Sequence, residues 1–170
     1  MSAILKAENR DQGRDTTPTS TAFGAETLLF GIGNCGRSDD GLGWAFLDRI
    51  QREPGFFSPI EYRYQLQVED AALIASMQRV VFIDSYQGEL PGGYRWTDCE
   101  PSENFEFTTH VLPPRGVMHY CKDLYGRTPQ AHILMIQGCD WGLRNGMSST
   151  AQRHLDTALA FFRDQILHPG

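Results

Sequence analysis

Apolar positions along the chain fall into two alternating patterns: short continuous runs and longer stripes at helical spacing. Thr27–Phe30 is a short apolar run that enters the glycine-rich stretch Gly31-Ile32-Gly33-Asn34. Leu42, Ala45, Phe46, Leu47 and Ile50 then recur at helical spacing, and Pro54-Gly55 ends that element. Asp39 and Asp40 precede this helix, and either carboxylate is placed to cap its first turn. Residues 60–67 alternate apolar and polar side chains as a half-buried strand does, and Ala71, Leu73, Ile74 and Met77 fit a short helix. Val80–Ile83 is continuously apolar, the mark of a central parallel strand covered on both faces.

The second half repeats the alternation. Pro91-Gly92-Gly93 predicts a turn, and Tyr94–Asp98 and Phe105–Thr109 predict shorter strands. Val117, Tyr120, Cys121 and Leu124 mark a helix within Pro113–Tyr125, and Ile133–Ile136 a second buried strand closed by Gly138. Ser149 and Gln152 form a capping box for a last helix with the stripe Leu155, Leu159, Phe162 and Ile166. The order β-α-β-α-β-(β)-α-β-α predicts an α/β three-layer sandwich, a mostly parallel twisted sheet of about five strands flanked by helices. Residues 1–24 are polar and without hydrophobic period, so they are expected to form a disordered N-terminal extension. Residues 25–170 form the single domain.

Composition narrows the classes of function. The formal net charge of −6 disfavours a dedicated nucleic-acid binder, whose affinity rests on neutralising phosphates. No apolar run reaches the ~18 residues of a spanning helix, and the first residues lack the apolar core of a secretory signal. A cytoplasmic address without membrane attachment is the expectation. Cys35, Cys99, Cys121 and Cys139 form no CxxC pair and are expected to be free thiols.

Ligands of open α/β sheets bind beyond the carboxyl ends of the strands, so the polar residues that follow each strand are the candidates. Asn34, Cys35, Arg37, Asp39 and Asp40 follow the first strand, and Asp84 and Ser85 follow Val80–Ile83. His110 follows Phe105–Thr109, and Cys139, Asp140 and Trp141 follow Gly138. Asp40, Asp84 and His110 can converge on one point, and two carboxylates with one imidazole suit a borderline divalent ion such as zinc or nickel. Each also has a plainer reading: Asp40 as a helix cap, Asp84 in an Asx turn, His110 as a structural histidine. Asp84 carries the most weight alone, because a carboxylate flush after four apolar residues risks burial and needs a partner. His119, His132, His154 and His168 are assigned to the surface or to packing. Cys35 with His110 as base is a lesser nucleophilic reading, and Gly31-x-Gly33-x-x-Gly36 matches a dinucleotide fingerprint only weakly, because Asp39 and Asp40 oppose an anion there.

The pattern Gly31-Ile32-Gly33-Asn34, Ser38-Asp39-Asp40-Gly41 and Gly43 resembles the opening signature of the hydrogenase maturation proteases, endopeptidases that trim the C-terminus of [NiFe]-hydrogenase large subunits. Asp84 at the end of a buried strand, Thr108-Thr109-His110 before a helix, and Met147-Ser148-Ser149 before the last helix extend the resemblance over most of the chain. It implies a twisted, mainly parallel sheet and a metal bound by Asp40, Asp84 and His110, which would also be the catalytic set. It implies that the metal is nickel already inserted into the precursor, read as a maturation checkpoint, with zinc or cadmium able to occupy the site in vitro. The implied partner is a [NiFe]-hydrogenase large-subunit precursor, with no nucleic acid, no membrane and a monomer as the default. Ser38 stands where the family commonly has glycine, Val111 follows the histidine, and residues 65–70 lack the family's Asp-Gly-Gly-like stretch. Asp39 and Asp40 stay equal candidates for a general base, Asn34 for orienting the turn, and Trp44, Tyr86 and Trp141 for lining the cleft. The alternatives are a non-proteolytic metal-sensing or docking homologue and, less favoured, a nucleotide-binding α/β enzyme.

Overall fold

A computed structural model describes residues 24–104 and 111–164. Strand β1 (Thr27–Ile32) leads through a 3-10 turn at Ser38–Gly41 into helix α1 (Leu42–Ile50), and β2 (Ile60–Arg63) is followed by α2 (Asp70–Ala75). Then come β3 (Arg79–Gln87), β4 (Tyr94–Asp98), α3 (Pro114–Tyr125), β5 (Gln130–Gly138) and α4 (Ser149–Phe162). The five strands lie in the order β2-β1-β3-β5-β4, parallel throughout except for β4, which runs antiparallel along the edge of β5. This is the expected three-layer α/β sandwich. Because side chains alternate along a strand, neighbouring residues feed opposite faces. Leu29, Val81 and Leu134 pack under α1 and α4 with Phe46, Leu155 and Phe162. Phe30 and Phe82 stack at 5.5 Å on the other face, against Ile74 of α2 and Val117 and Met118 of α3.

Several elements differ from their sequence pattern. The half-buried strand expected over residues 60–67 pairs only to Arg63, after which Leu66 makes one bridge to Leu112. Strand β3 does not stop at Ile83. Its pairing with β1 ends at Ile83, while its pairing with β5 continues through Asp84, Ser85 and Tyr86 to Gln87. Asp84 therefore lies inside a strand, just past the last residue of β3 that pairs with β1. Ser148, not Ser149, caps α4: its hydroxyl oxygen accepts from the Ala151 amide at 3.1 Å, and Gln152 donates to the Met147 carbonyl. Neither Asp39 nor Asp40 caps α1, whose N-cap is Gly41 with no side-chain hydrogen bond. The strand expected at Phe105–Thr109, His110, the N-terminal extension up to residue 23, and Ile166 and His168 lie outside the described residues. No described helix is long and apolar enough to cross a membrane, and all four cysteines are free.

Candidate active site

The glycines of the first signature bring three elements together at the carboxyl edge of the sheet. Gly33 has a φ of 132°, and a Cβ there would lie 1.9 Å from the Asp40 carbonyl oxygen. A Cβ on Gly43 would lie 2.5 Å from the carbonyls of both Ile32 and Ile83, so only glycine lets the start of α1 rest on the ends of β1 and β3. The chain folds back over Gly33, with the Asn34 amide donating to the Asp40 carbonyl at 3.1 Å. Asn34 also shapes the turn with its side chain, its Oδ1 accepting from the Gly36 amide at 2.9 Å. The Asp40 backbone thus occupies the space over Gly33 that a pyrophosphate would need, which counts against the dinucleotide reading.

The fold-back aims Asp40 toward β3. There the Ser85 hydroxyl donates to Asp40 Oδ1 at 3.4 Å, and the Ser85 amide donates to Asp84 Oδ1 at 2.7 Å. Ser85 therefore joins the two carboxylates. Burial pushes the Asp84 carboxyl up to about 7, with the negative charge of Asp40 adding to the rise and the Ser85 amide opposing it. A carboxylate pair of this kind is relieved by a cation or a proton, so the donor chemistry fits a divalent metal. Among the described residues no cluster of three or more His, Cys, Asp and Glu side chains is placed to hold a metal; the third expected ligand, His110, lies outside them.

The two adjacent aspartates separate completely. Asp39 is wholly buried. Its Oδ2 accepts from the Cys139 amide (2.7 Å), the Asp140 amide (2.8 Å) and the Ser148 hydroxyl (2.8 Å). Its Oδ1 accepts from the Ser148 amide at 2.7 Å. Asp39 is a clamp between the 3-10 turn, the end of β5 and the start of α4, with both carboxylate oxygens engaged by residues 139–148. Sequence reasoning had no means of telling it from Asp40, because the four donors lie about a hundred positions away.

The other candidates are placed as follows. Cys35 is exposed beside a cavity of about 250 Å³ that Trp44 and Met147 also line. Trp44 is fixed by its Nε1, which donates to the Arg63 carbonyl at 3.1 Å, and packs on Tyr62 and Tyr64. Trp141 lies against Gly138, where a Cβ would meet its ring at 2.9 Å, and Tyr86 covers Gly88. Arg144, three residues beyond Trp141, pairs with Asp140. The segment that lacks the Asp-Gly-Gly-like stretch is pinned by Asp70, which accepts from Arg63 Nε and the Gln67 amide, each at 2.9 Å. His132 stacks on Trp96 and His154 binds the Gln137 carbonyl through Nδ1, both as packing groups. Burial raises the Cys99 thiol to about 12 and Cys121 upward as well, leaving both inert.

Neither a protein-family model nor a curated protein matches the sequence. Solved structures do match. The hydrogenase-maturating endopeptidase HybD from E. coli superposes with a TM-score of 0.65 at 16% identity, over 82% of this chain and 93% of its own. The chain has the fold of the hydrogenase maturation proteases. The [NiFe] hydrogenase maturation protease HycI from Thermococcus kodakarensis KOD1 matches with a TM-score of 0.65 at 22% identity, over 84% of this chain and 92% of its own. A structure of the hydrogenase 3 maturation protease matches at 21% identity with a TM-score of 0.61, over 82% of this chain and 90% of its own. The maturation-protease fold thus accounts for the sheet order and helices that carry Asp40 and Asp84 to one edge.

Proposed function

We propose that this chain is an endopeptidase that removes the C-terminal extension of a nickel-loaded [NiFe]-hydrogenase large-subunit precursor. The observation that carries the reading is the Asp40–Asp84 pair, joined by Ser85 at the carboxyl edge of a sheet with the maturation-protease fold. In this reading the nickel belongs to the substrate, and Asp40, Asp84 and His110 engage it once it has been inserted. A bound divalent ion with an open coordination position polarises a carbonyl or activates water, worth several kcal/mol in comparable sites. The protein's own contribution is to fix the scissile bond beside that ion. Asp84 suits this task because burial, with the nearby Asp40 charge, raises its carboxyl to about 7, so a proton and a metal ion compete for it near neutral pH. Asp40 is the general-base candidate of the two neighbouring aspartates, because the Asp39 carboxylate is wholly buried and both its oxygens are bound by residues 139–148.

The test is processing by variants. Asp84→Ala and His110→Ala are expected to lose cleavage of the precursor while keeping the circular dichroism spectrum and a cooperative melt. Cleavage by either variant at the wild-type rate contradicts the reading. Precursor binding without cleavage by the wild-type chain would instead place it as a docking homologue.

A further inference from the structure

The Asp39 clamp has consequences for the neighbouring ligand. Asp39 is buried without exposure, its carboxylate oxygens accept four hydrogen bonds, and all four come from residues 139–148. Hydrogen bonds to a charged group are roughly twice as strong as neutral ones, so this is the strongest local tether in the turn. The backbone of the turn is tied to the same segment: the Asp39 amide donates to the Asp140 carbonyl at 3.0 Å and the Ser38 amide to the Arg144 carbonyl at 2.8 Å. On the other side the Asp40 carbonyl is held by Asn34. The Asp40 backbone is thereby tied on both sides, and its side chain reaches Ser85, whose amide holds Asp84.

Resting on the metal-engaging reading above, we infer that Asp39 is the positioning residue of the site: its buried carboxylate sets where Asp40 stands relative to Asp84. It also fastens the 139–148 loop to the same turn, so the loop and the ligand move as one body. A clamp that served stability alone would act on the folding equilibrium and leave the folded site unchanged. A positioning residue acts on both. Groups that orient metal ligands from behind typically change affinity by about 10–100-fold when altered.

The substitution Asp39→Asn is nearly isosteric but turns an NH2 group toward donors that need an acceptor, opposing the Ser148 amide when its oxygen faces Cys139 and Asp140. The experiment is calorimetric titration of zinc chloride into the full chain, well below the melting midpoint of each variant. Wild type is expected to bind, and Asp39→Asn to bind at least tenfold more weakly. The core variant Phe162→Leu, which perturbs stability away from the site, is expected to keep wild-type affinity. If Asp39→Asn does not fold, Ser148→Ala carries the test, because it removes the hydroxyl donor and leaves all three amides; about threefold weaker binding is expected. Wild-type affinity in a folded Asp39→Asn or Ser148→Ala chain overturns the inference and leaves the functional reading standing. A wild-type chain that neither binds zinc nor processes precursor overturns both, and one that processes precursor without binding free zinc overturns the positioning claim in this form.

Discussion

Asp84 and Asp40 share a neighbour: the Ser85 amide holds Asp84 Oδ1 at 2.7 Å while its hydroxyl reaches Asp40 Oδ1 at 3.4 Å. The two residues come from chain segments 44 positions apart, and they meet because Gly33 and Gly43 let the turn after β1 lie over the ends of β1 and β3. Two carboxylates so placed are a cost to the folded chain until a cation or a proton arrives.

That cost has a pH signature. Asp84 titrates near 3.8 when unfolded and at about 7 when folded, raised by burial. Between these values the folded chain holds a proton that the unfolded chain has released, so stability falls as pH rises through the window, by up to about 1.4 kcal/mol per unit. Asp84→Asn removes the charge and is expected to be more stable than wild type at pH 8, by about 4 kcal/mol at most across that window, with the advantage gone at pH 4. Urea denaturation at the two pH values measures this. An Asn variant less stable at pH 8 contradicts the assignment.

Ser38 is the one described non-glycine residue with positive φ, at 49°, and its buried hydroxyl has no partner among the described residues. The family resemblance places glycine there, and the backbone shows why: a left-handed residue costs an L side chain about 1 kcal/mol, and an unpaired buried hydroxyl adds to it. Ser38→Gly is expected to stabilise the chain by about 0.5–1 kcal/mol after the loss of chain entropy is counted. Ser38→Ala, which removes the hydroxyl but keeps the strain, is expected to gain less. Denaturant midpoints of the three chains decide the order.

Gly43 allows no such freedom. Its absent Cβ is replaced by the carbonyl oxygens of Ile32 and Ile83, each 2.5 Å from where that atom would stand. Backbone of two central strands cannot give way cheaply, so Gly43→Ala is expected to cost about 3 kcal/mol or more and to displace the turn that carries Asp40. Thermal melting tests it, and a midpoint unchanged from wild type contradicts the packing described here.

What was legible in the sequence follows from what is local. Val80–Ile83 is apolar at every position because both faces of β3 are covered, and Asp84 is conspicuous because it interrupts that burial. The stripes of α1 and α4 are legible from burial of one helix face, while in α3 the stripe holds at Val117 and Cys121 but not at Leu124, which is exposed. The continuation of β3 through Ser85 and Tyr86 was not, since those polar residues are held by the neighbouring β5 rather than by their own pattern. The split between Asp39 and Asp40 was hidden too. Their chemistry is identical, and only the donors at Cys139, Asp140 and Ser148 distinguish them. Ser148 took the cap from Ser149 through the same contact, its hydroxyl serving Ala151 and Asp39 together.

The central claim is that the Asp40–Asp84 site acts on a precursor that already carries nickel. Its most direct test is the intact mass of the large-subunit precursor after incubation with this protein, with and without inserted nickel. The account predicts loss of a C-terminal peptide from the nickel-loaded precursor alone. An unchanged mass in the loaded sample, or equal cleavage with and without nickel, would contradict it.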